Sequence, residues 1–372
     1  MQIAMQATLS KNKPRICLNM IVKNERHIIQ RCLDSLKAHI DYWVISDTGS
    51  TDGTQNFIRE YFQQAQIPGE LHEHTWKNFA HNRNLALEAA KNKADYILFM
   101  DADDYVVWQD DLGFHGLTEA VYQLTMRHNT LVYSNIKLLR SQVAAEWRGV
   151  LHEGLYVDEF CPVEYQAANC YISSTREGAR NQDPDKYIRD AEILEQGLKE
   201  EPDNSRYRFY LARSYLDADQ HQQALENFKK RAAMGGWEEE VYYSLFSIAR
   251  CYQLLNYDKA HIIEAYLKAF YYRPSRLEAL YQAVRLCREH EFYNLGYQLA
   301  KLITHIQGSD DLLFVHHEIY NWRFLDELAV CAVNCGHRAE ARGIIAHLIA
   351  SPKTPAEQLA RLQANLRAAV DY

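Results

Sequence analysis

An acidic cluster, Asp101-Ala102-Asp103-Asp104, follows directly on the apolar run Tyr96-Ile97-Leu98-Phe99-Met100. Asp101 and Asp103 offer the oxygen ligands that hard cations such as Mg²⁺ or Mn²⁺ prefer. A cation held there and shared with a diphosphate would act as a Lewis acid on the negative charge that grows as the diphosphate departs. The same letters also fit a solvated loop or a helix N-cap. Position favours the chemistry, because an Asp at the carboxyl end of a buried strand lies where open α/β sheets bind their ligands.

Other polar segments stand at comparable places. The apolar run Ile16 to Val22 ends in Lys23-Asn24-Glu25, and Trp43-Val44-Ile45-Ser46 runs into Asp47-Thr48-Gly49-Ser50-Thr51-Asp52-Gly53-Thr54. There the glycines permit a tight turn, Ser50 or Thr51 can cap the following helix, and Asp47 can accept a hydrogen bond from a base edge. A plain capped turn explains the same residues. Farther on, Trp147-Arg148-Gly149-Val150-Leu151-His152-Glu153-Gly154 pairs an imidazole that can ligate a cation with a carboxylate that can accept a proton. A surface turn with both side chains solvated is the competing reading. Asp158 and Glu159 are fallback bases. His72-Glu73-His74 would put both imidazoles on one face of a strand, the arrangement of a metal pair or of a solvated edge strand.

The elements that must position these residues divide the chain into two halves. From Arg15 to about Met100, apolar runs alternate with amphipathic stretches: Ile28, Ile29, Cys32, Leu33 and Leu36, then Phe57, Ile58, Tyr61 and Phe62, then a helix from about Phe79 to Lys91. With a short strand near Leu71 to Thr75, this predicts a mainly parallel sheet covered by helices. Glu25, Asp47 and Asp101 would then converge on one sheet edge. After about Pro184 the pattern becomes helical, with similarities at the length of a tetratricopeptide unit. Leu211, Ala212, Tyr215, Ala224 and Phe228 are echoed by Ile248, Ala249, Tyr252, Ile262, Tyr266, Ala269 and Pro274. Ala191, Leu198 and Pro202 suggest a preceding unit, Leu277 to Leu302 a following one, and Phe324 to Ala350 a closing helical stretch. An ordinary all-α domain fits the same pattern. The expected domains are 1–183 and 184–372.

Composition narrows the classes. A net charge of −8 argues against broad attachment to nucleic acid, which needs clustered Lys and Arg. No apolar run reaches about 18 residues and no signal peptide is visible, so no transmembrane segment is expected; the expected location is cytoplasmic, peripheral to the inner membrane at most. The cysteines form no Cys-x-x-Cys pair and read as reduced. Cys331 and Cys335 share a helical face, but zinc needs about four ligands and no second pair lies near. The aromatic residues at repeat-packing positions read as core, as do Trp76 and Phe79.

The segments Asn19 to Glu25, Asp47 to Thr54, Trp76-Lys77-Asn78-Phe79, Arg83-Asn84 and Asp101-Ala102-Asp103 resemble, in order and spacing, the family 2 glycosyltransferases of GT-A fold. The likeness spans about the first 110 residues. With the repeats included, the chain is similar to bacterial members with a tetratricopeptide-like tail, including peptide S-glycosyltransferases and lipopolysaccharide-core enzymes. The resemblance implies that Asn24, Glu25 and Asp47 line a nucleotide base, that Arg83 approaches the base or diphosphate, and that Asp101 meets the ribose and metal while Asp103 ligates the metal. It implies Mn²⁺ or Mg²⁺, a nucleotide-sugar donor such as a UDP-sugar, and inversion at the anomeric carbon. His152 becomes a third metal ligand and Glu153 the base. The acceptor is a peptide, a protein or a cell-envelope glycan, and the repeats would offer a concave surface to a protein partner. Competing readings are an adaptor that has lost catalysis, against which the Asp101/Asp103 pair argues, and nucleotidyl transfer, against which the missing glycine-rich phosphate loop argues.

Overall fold

The structure, a computed structural model, describes residues 13–128, 131–157, 163–165, 168–303, 305–306 and 308–369. Its compact units are residues 1–197 and 198–372. The division falls inside the helix Lys186–Glu200, whose residues Lys186, Arg189, Asp190 and Ile193 line a pocket of the first unit.

The first unit is built on a nine-stranded sheet. Its first half is parallel and has the order β3 (Gly69–Glu73), β2 (Tyr42–Asp47), β1 (Ile16–Val22), β4 (Tyr96–Phe99). β1 reads as an apolar run, interrupted only at Asn19, because both of its faces are covered. Ile16, Leu18, Met20 and Val22 pack with Ile29, Cys32, Leu33 and Leu36 of the helix Ile29–Leu36 and with Ile58 and Phe62 of the helix Thr54–Ala65. Cys17 faces the other way, toward Leu87 and Ala90 of the helix Phe79–Ala90. Asn19 breaks the run for a reason: it is buried, and its amide donates to the Ala86 carbonyl at 2.8 Å, which ties that helix to the sheet.

Beyond Met100 the sheet turns mixed. β7 (Leu131–Arg140) runs antiparallel to β4 and to β6 (Val121–His128), followed by β11 (Cys170–Ser173) and β5 (Tyr105–Trp108), while β10 (Val163–Tyr165) pairs with β6. A separate hairpin, β8 (Ala145–Arg148) with β9 (Gly154–Val157), carries the Trp147–Glu153 segment. None of β5–β7 or β10–β11 was expected from the sequence.

The second unit is a stack of helix pairs: Ser205–Asp217 with His221–Ala233, Glu238–Leu254 with Lys259–Tyr272, and Glu278–Glu289 with Tyr293–Ala300. Ala212, Ala224, Phe228, Ala249, Tyr252, Ile262, Tyr266 and Ala269 meet in one core, so the repeat-spaced small and large residues do pack as their spacing suggests. The closing stretch is two helices, Phe324–Asn334 and Arg338–Ala350, and a further one, Ala356–Ala368, follows. The described cysteines are free thiols, and Cys161 lies outside the described residues. No described helix is long and apolar enough to cross a membrane.

This core also holds buried charge. Arg231 is fully buried and donates to Glu240 through Nε at 3.1 Å and Nη2 at 2.9 Å, and to the Gly235 carbonyl at 2.7 Å. Removing one partner of such a pair strands the other in a low-dielectric interior, at about 3–5 kcal/mol, whereas replacing both by apolar groups is far less costly. Urea denaturation should therefore show Arg231→Met destabilised by about that amount and Arg231→Met/Glu240→Leu recovering most of it. A single variant as stable as the wild type would contradict this account of the pair.

Candidate active site

The loops after β1 and β2 are stitched to one another. The backbone N–H groups of Asn24, Glu25 and Arg26 donate to Ser50 Oγ (2.8 Å), Thr54 Oγ1 (2.9 Å) and Asp52 Oδ2 (3.0 Å). In return Thr51 N–H donates to Asn24 Oδ1 at 2.7 Å, with Asn24 in the left-handed region at φ 58°. Neither Ser50 nor Thr51 caps the following helix. Its N-cap is Gly53, at φ 88°, and Asp52 Oδ1 takes the Thr54 N–H instead. Asp47, at the end of β2, is buried. Its Oδ1 accepts from Gly49 N–H and Ser50 N–H, each at 2.9 Å, and from Gln55 at 3.0 Å, while its Oδ2 is buried without a partner. The segment is thus a capped turn that also contains one buried, unpartnered carboxylate oxygen.

Arg83, one turn into the helix Phe79–Ala90, gathers the residues that lie farthest apart in sequence. Its Nη2 donates to Asp101 Oδ1 and its Nε to Glu153 Oε1, both at 2.6 Å. The guanidinium lies 5.0 Å from the Trp147 ring centroid. Its neighbour Asn84 clamps β8, donating to the Trp147 carbonyl and accepting from the Trp147 N–H, each at 2.8 Å. Burial opposes the charge on Arg83, but Asp101 and Glu153 outweigh it and raise its pKa above the ordinary arginine range. Asp101 responds in kind. Burial works against its ionisation, yet the charge of Arg83 and then that of Lys137 hold the carboxyl below its usual value. Lys137, on β7, stands 4.0 Å from Asp101 and 3.8 Å from the buried Asp104.

Asp103 and Glu25 have backbone partners instead of cations. Gly178 N–H donates to Asp103 Oδ2 at 3.2 Å, and Ala179 N–H donates to Glu25 at 3.2 Å. Arg31 fixes the Asp103 carbonyl at 3.2 Å and also holds Thr175 and Glu177. Burial pushes Glu25 up to about 7, against the Ala179 bond, and the nearby Asp103 charge adds to the rise. Asp103 is also raised by burial, with the Gly178 N–H opposing and the Asp101 charge adding. Together these residues line a cavity of about 590 Å³ at the carboxyl ends of β1 and β4, whose wall includes Asn24, Glu25, Arg83, Asp101, Asp103 and Arg180. Trp76 and Phe79 line it too, packed edge to face at 4.7 Å.

Residues 17–109 match the family model for glycosyl transferase family 2. The first unit carries a domain of that family. The SPbeta prophage-derived glycosyltransferase SunS of Bacillus subtilis is 25% identical over 229 residues, covering 58% of this chain and 53% of SunS. A TPR repeat-containing protein of Synechococcus elongatus is 29% identical over 168 residues, covering 43% of this chain and 40% of its own length. The chain thus spans about half or less of the curated relatives it matches. Among solved structures, S. aureus TarS 1–349 in complex with UDP-GlcNAc aligns over 68% of this chain and 92% of that one, at 15% identity and a TM-score of 0.37.

The family 2 domain brings Asn24, Glu25, Arg83, Asp101 and Asp103 to one pocket, with Asp47 buried beside Thr48 of its wall. Glu153 joins them through Arg83. His152 does not line the cavity; it is exposed, in the left-handed region at φ 54°. Asp158 and Glu159 lie outside the described residues. His72 and His74 stack at 5.8 Å on the edge strand β3, where His72 meets Glu70 at 3.0 Å. Sequence reasoning missed Lys137 and Arg31, and it missed the 174–183 segment whose amides meet Asp103 and Glu25. A lysine in the alternating pattern of β6 and β7 was the available signal for Lys137.

Asp101 and Asp103 offer carboxylate oxygens of the kind a hard divalent cation takes, with Arg83 and Lys137 also facing Asp101. Among the described residues no three His, Cys, Asp or Glu side chains form a ready-made metal cluster. Two carboxylates supply only part of the six-oxygen shell of Mg²⁺, so a cation at Asp101 and Asp103 would need further oxygens from water or phosphate.

Gly149 sets where Glu153 lies. It adopts φ 112°, and a Cβ there would come within 3.2 Å of the Glu153 Cα. Gly149→Ala should cost about 1–3 kcal/mol in thermal or urea unfolding through backbone strain. Unchanged stability would show that the turn accommodates a side chain and does not constrain Glu153.

Proposed function

We propose that the family 2 domain transfers a sugar from a nucleotide-sugar donor, a UDP-sugar, to a peptide, protein or cell-envelope glycan, inverting the anomeric carbon. The observation that carries this reading is the meeting of Arg83, Asp101 and Glu153 beside the pocket that also holds Glu25 and Asp103. Asp47 supports it, because its unpartnered Oδ2 is an acceptor for the N–H of a base edge, and an unpaired buried oxygen costs stability unless a ligand uses it.

Each residue then has a task. Asn24, Glu25 and Asp47 receive the base. Asp101 and Asp103 hold Mn²⁺ or Mg²⁺ together with the donor diphosphate, and the ion when bound stabilises the charge on the departing nucleotide. Arg83 orients both Asp101 and Glu153, and its charge favours the diphosphate on the same side. Glu153 takes the proton from the acceptor group as that group attacks the anomeric carbon. The helical unit offers a surface for a protein partner.

The full chain, incubated with a panel of nucleotide sugars and Mn²⁺, should release nucleoside diphosphate. Asp103→Ala should lower the rate by on the order of 100-fold or more, the scale of losing one electrostatic contact to the transition state. No metal-dependent release with any donor would sink the proposal. Full activity of Glu153→Gln would remove Glu153 as the base, and release of pyrophosphate would assign nucleotidyl transfer instead.

A further inference from the structure

The connection between the helices Tyr293–Ala300 and Phe324–Asn334 is longer than helix-pair turns require, and its residues 308–316 are held as a ligand is held. Side chains from the helices Glu238–Leu254 and Glu278–Glu289, and Arg276 just before the second of them, bind its backbone. Glu239 Oε2 accepts from the N–H groups of Leu312 (2.8 Å) and Leu313 (2.7 Å). Arg276 donates to the carbonyls of Leu313 (3.0 Å) and Phe314 (3.2 Å), and Glu278 Oε1 accepts from His316 N–H at 3.0 Å. Arg276 and Glu278 are almost fully buried, at 1% and 2% exposure.

Two side chains of the segment are also received. The Asp311 carboxylate takes a fork of bonds from Arg273, at 2.7 and 2.6 Å, and a third from Arg276 at 3.2 Å. The Phe314 ring lies 4.8 Å from that of Tyr243 and 4.2 Å from the Arg213 guanidinium. Between them Leu312 is 86% exposed. Backbone bonds that ignore side-chain identity, with pockets for an acidic and an aromatic residue three positions apart, are the means by which proteins recognise peptide segments. Val315 of the segment packs against the helical core while Leu312 stands in solvent, and the segment's backbone satisfies buried charges of its neighbours.

We propose that Glu239, Arg273, Arg276, Glu278, Tyr243 and Arg213 form a receptor for a peptide that carries an acidic residue three positions before an aromatic one and bends at the aromatic residue, as residues 308–316 do with Phe314 at φ 52°, and that this segment occupies the receptor as a tethered stand-in. The segment competes at the high effective concentration that tethering confers, so a partner peptide gains access when the tether is loosened. The inference is independent of the reaction assigned to the family 2 domain.

The test uses the full chain and a fluorescent synthetic peptide with the sequence of residues 308–317. Asp311→Ala, which removes the tether's arginine contacts, should bind this peptide at least about tenfold more tightly than the wild type does, the scale of losing one charge-assisted contact from the competitor. Adding Arg273→Ala should abolish the gain. Hydrogen exchange on the wild type gives a second measurement. The amides of Leu312, Leu313 and His316 should exchange through local opening, faster than those of the helices Glu238–Leu254 and Glu278–Glu289. A folded Asp311→Ala protein that binds no peptide would overturn the proposal. So would an Asp311→Ala protein that fails to fold, or exchange of these amides only with global unfolding, since the segment would then be a fixed part of the unit.

Discussion

One guanidinium between two carboxylates fixes the geometry of the site. Arg83 reaches Asp101 at the end of β4 and Glu153 on the β8–β9 hairpin at the same 2.6 Å, from a helix packed on the sheet. Arginine can do this because its donors form a rigid planar fork that holds the two carboxylates in fixed directions, whereas a lysine presents a single ammonium on a flexible stem. Exposure differs along the bridge: Glu153 is 11% exposed at its side chain and Asp101 42%. The buried end anchors the hairpin, and the open end leaves Asp101 accessible from the cavity. Asn84 secures the same hairpin by its backbone, so Arg83-Asn84 works as one clamp on two adjacent helix positions.

The parallel half of the sheet was legible because each of its elements announces itself locally. Strands covered on both faces read as apolar runs, and helices with one buried face read at helical period. The ends of these runs mark the carboxyl edge, which is why Glu25, Asp47 and Asp101 could be placed together. The mixed half was not legible in the same way. Its strands are short or paired with distant partners, and β11 lies between β6 and β5, an order no local pattern encodes. Lys137 and the amides of Gly178 and Ala179 enter the site through that half. A backbone amide carries no sequence signature at all. The turn at Asp47–Thr54 was legible as a turn but not in its wiring, because Asp52 competes successfully with Ser50 and Thr51 for the helix start.

The helical unit shows a different balance. Its repeat-spaced small and large residues predict the packing of successive helices, and the core forms through them. The buried pairs Arg231–Glu240 and Arg276–Glu278 were invisible in the sequence, because a charged residue near a helix terminus reads as solvated until its partner is known. Such pairs add little net stability compared with apolar packing, so their presence calls for another use. At Arg231 that use is local, since the same side chain also holds the Gly235 carbonyl at the end of its helix. At Arg276 the use is recognition of another stretch of backbone.

The account depends most on Arg83 organising the diphosphate end of the pocket, and calorimetric titration of UDP with Mn²⁺ into wild type and Arg83→Lys tests this most directly. Lysine keeps the charge but lacks the planar fork that holds Asp101 and Glu153 in fixed directions. The account predicts at least about a tenfold loss of UDP affinity in the folded Arg83→Lys protein, the value of one forked charge-assisted contact. Wild-type affinity in that variant would contradict it.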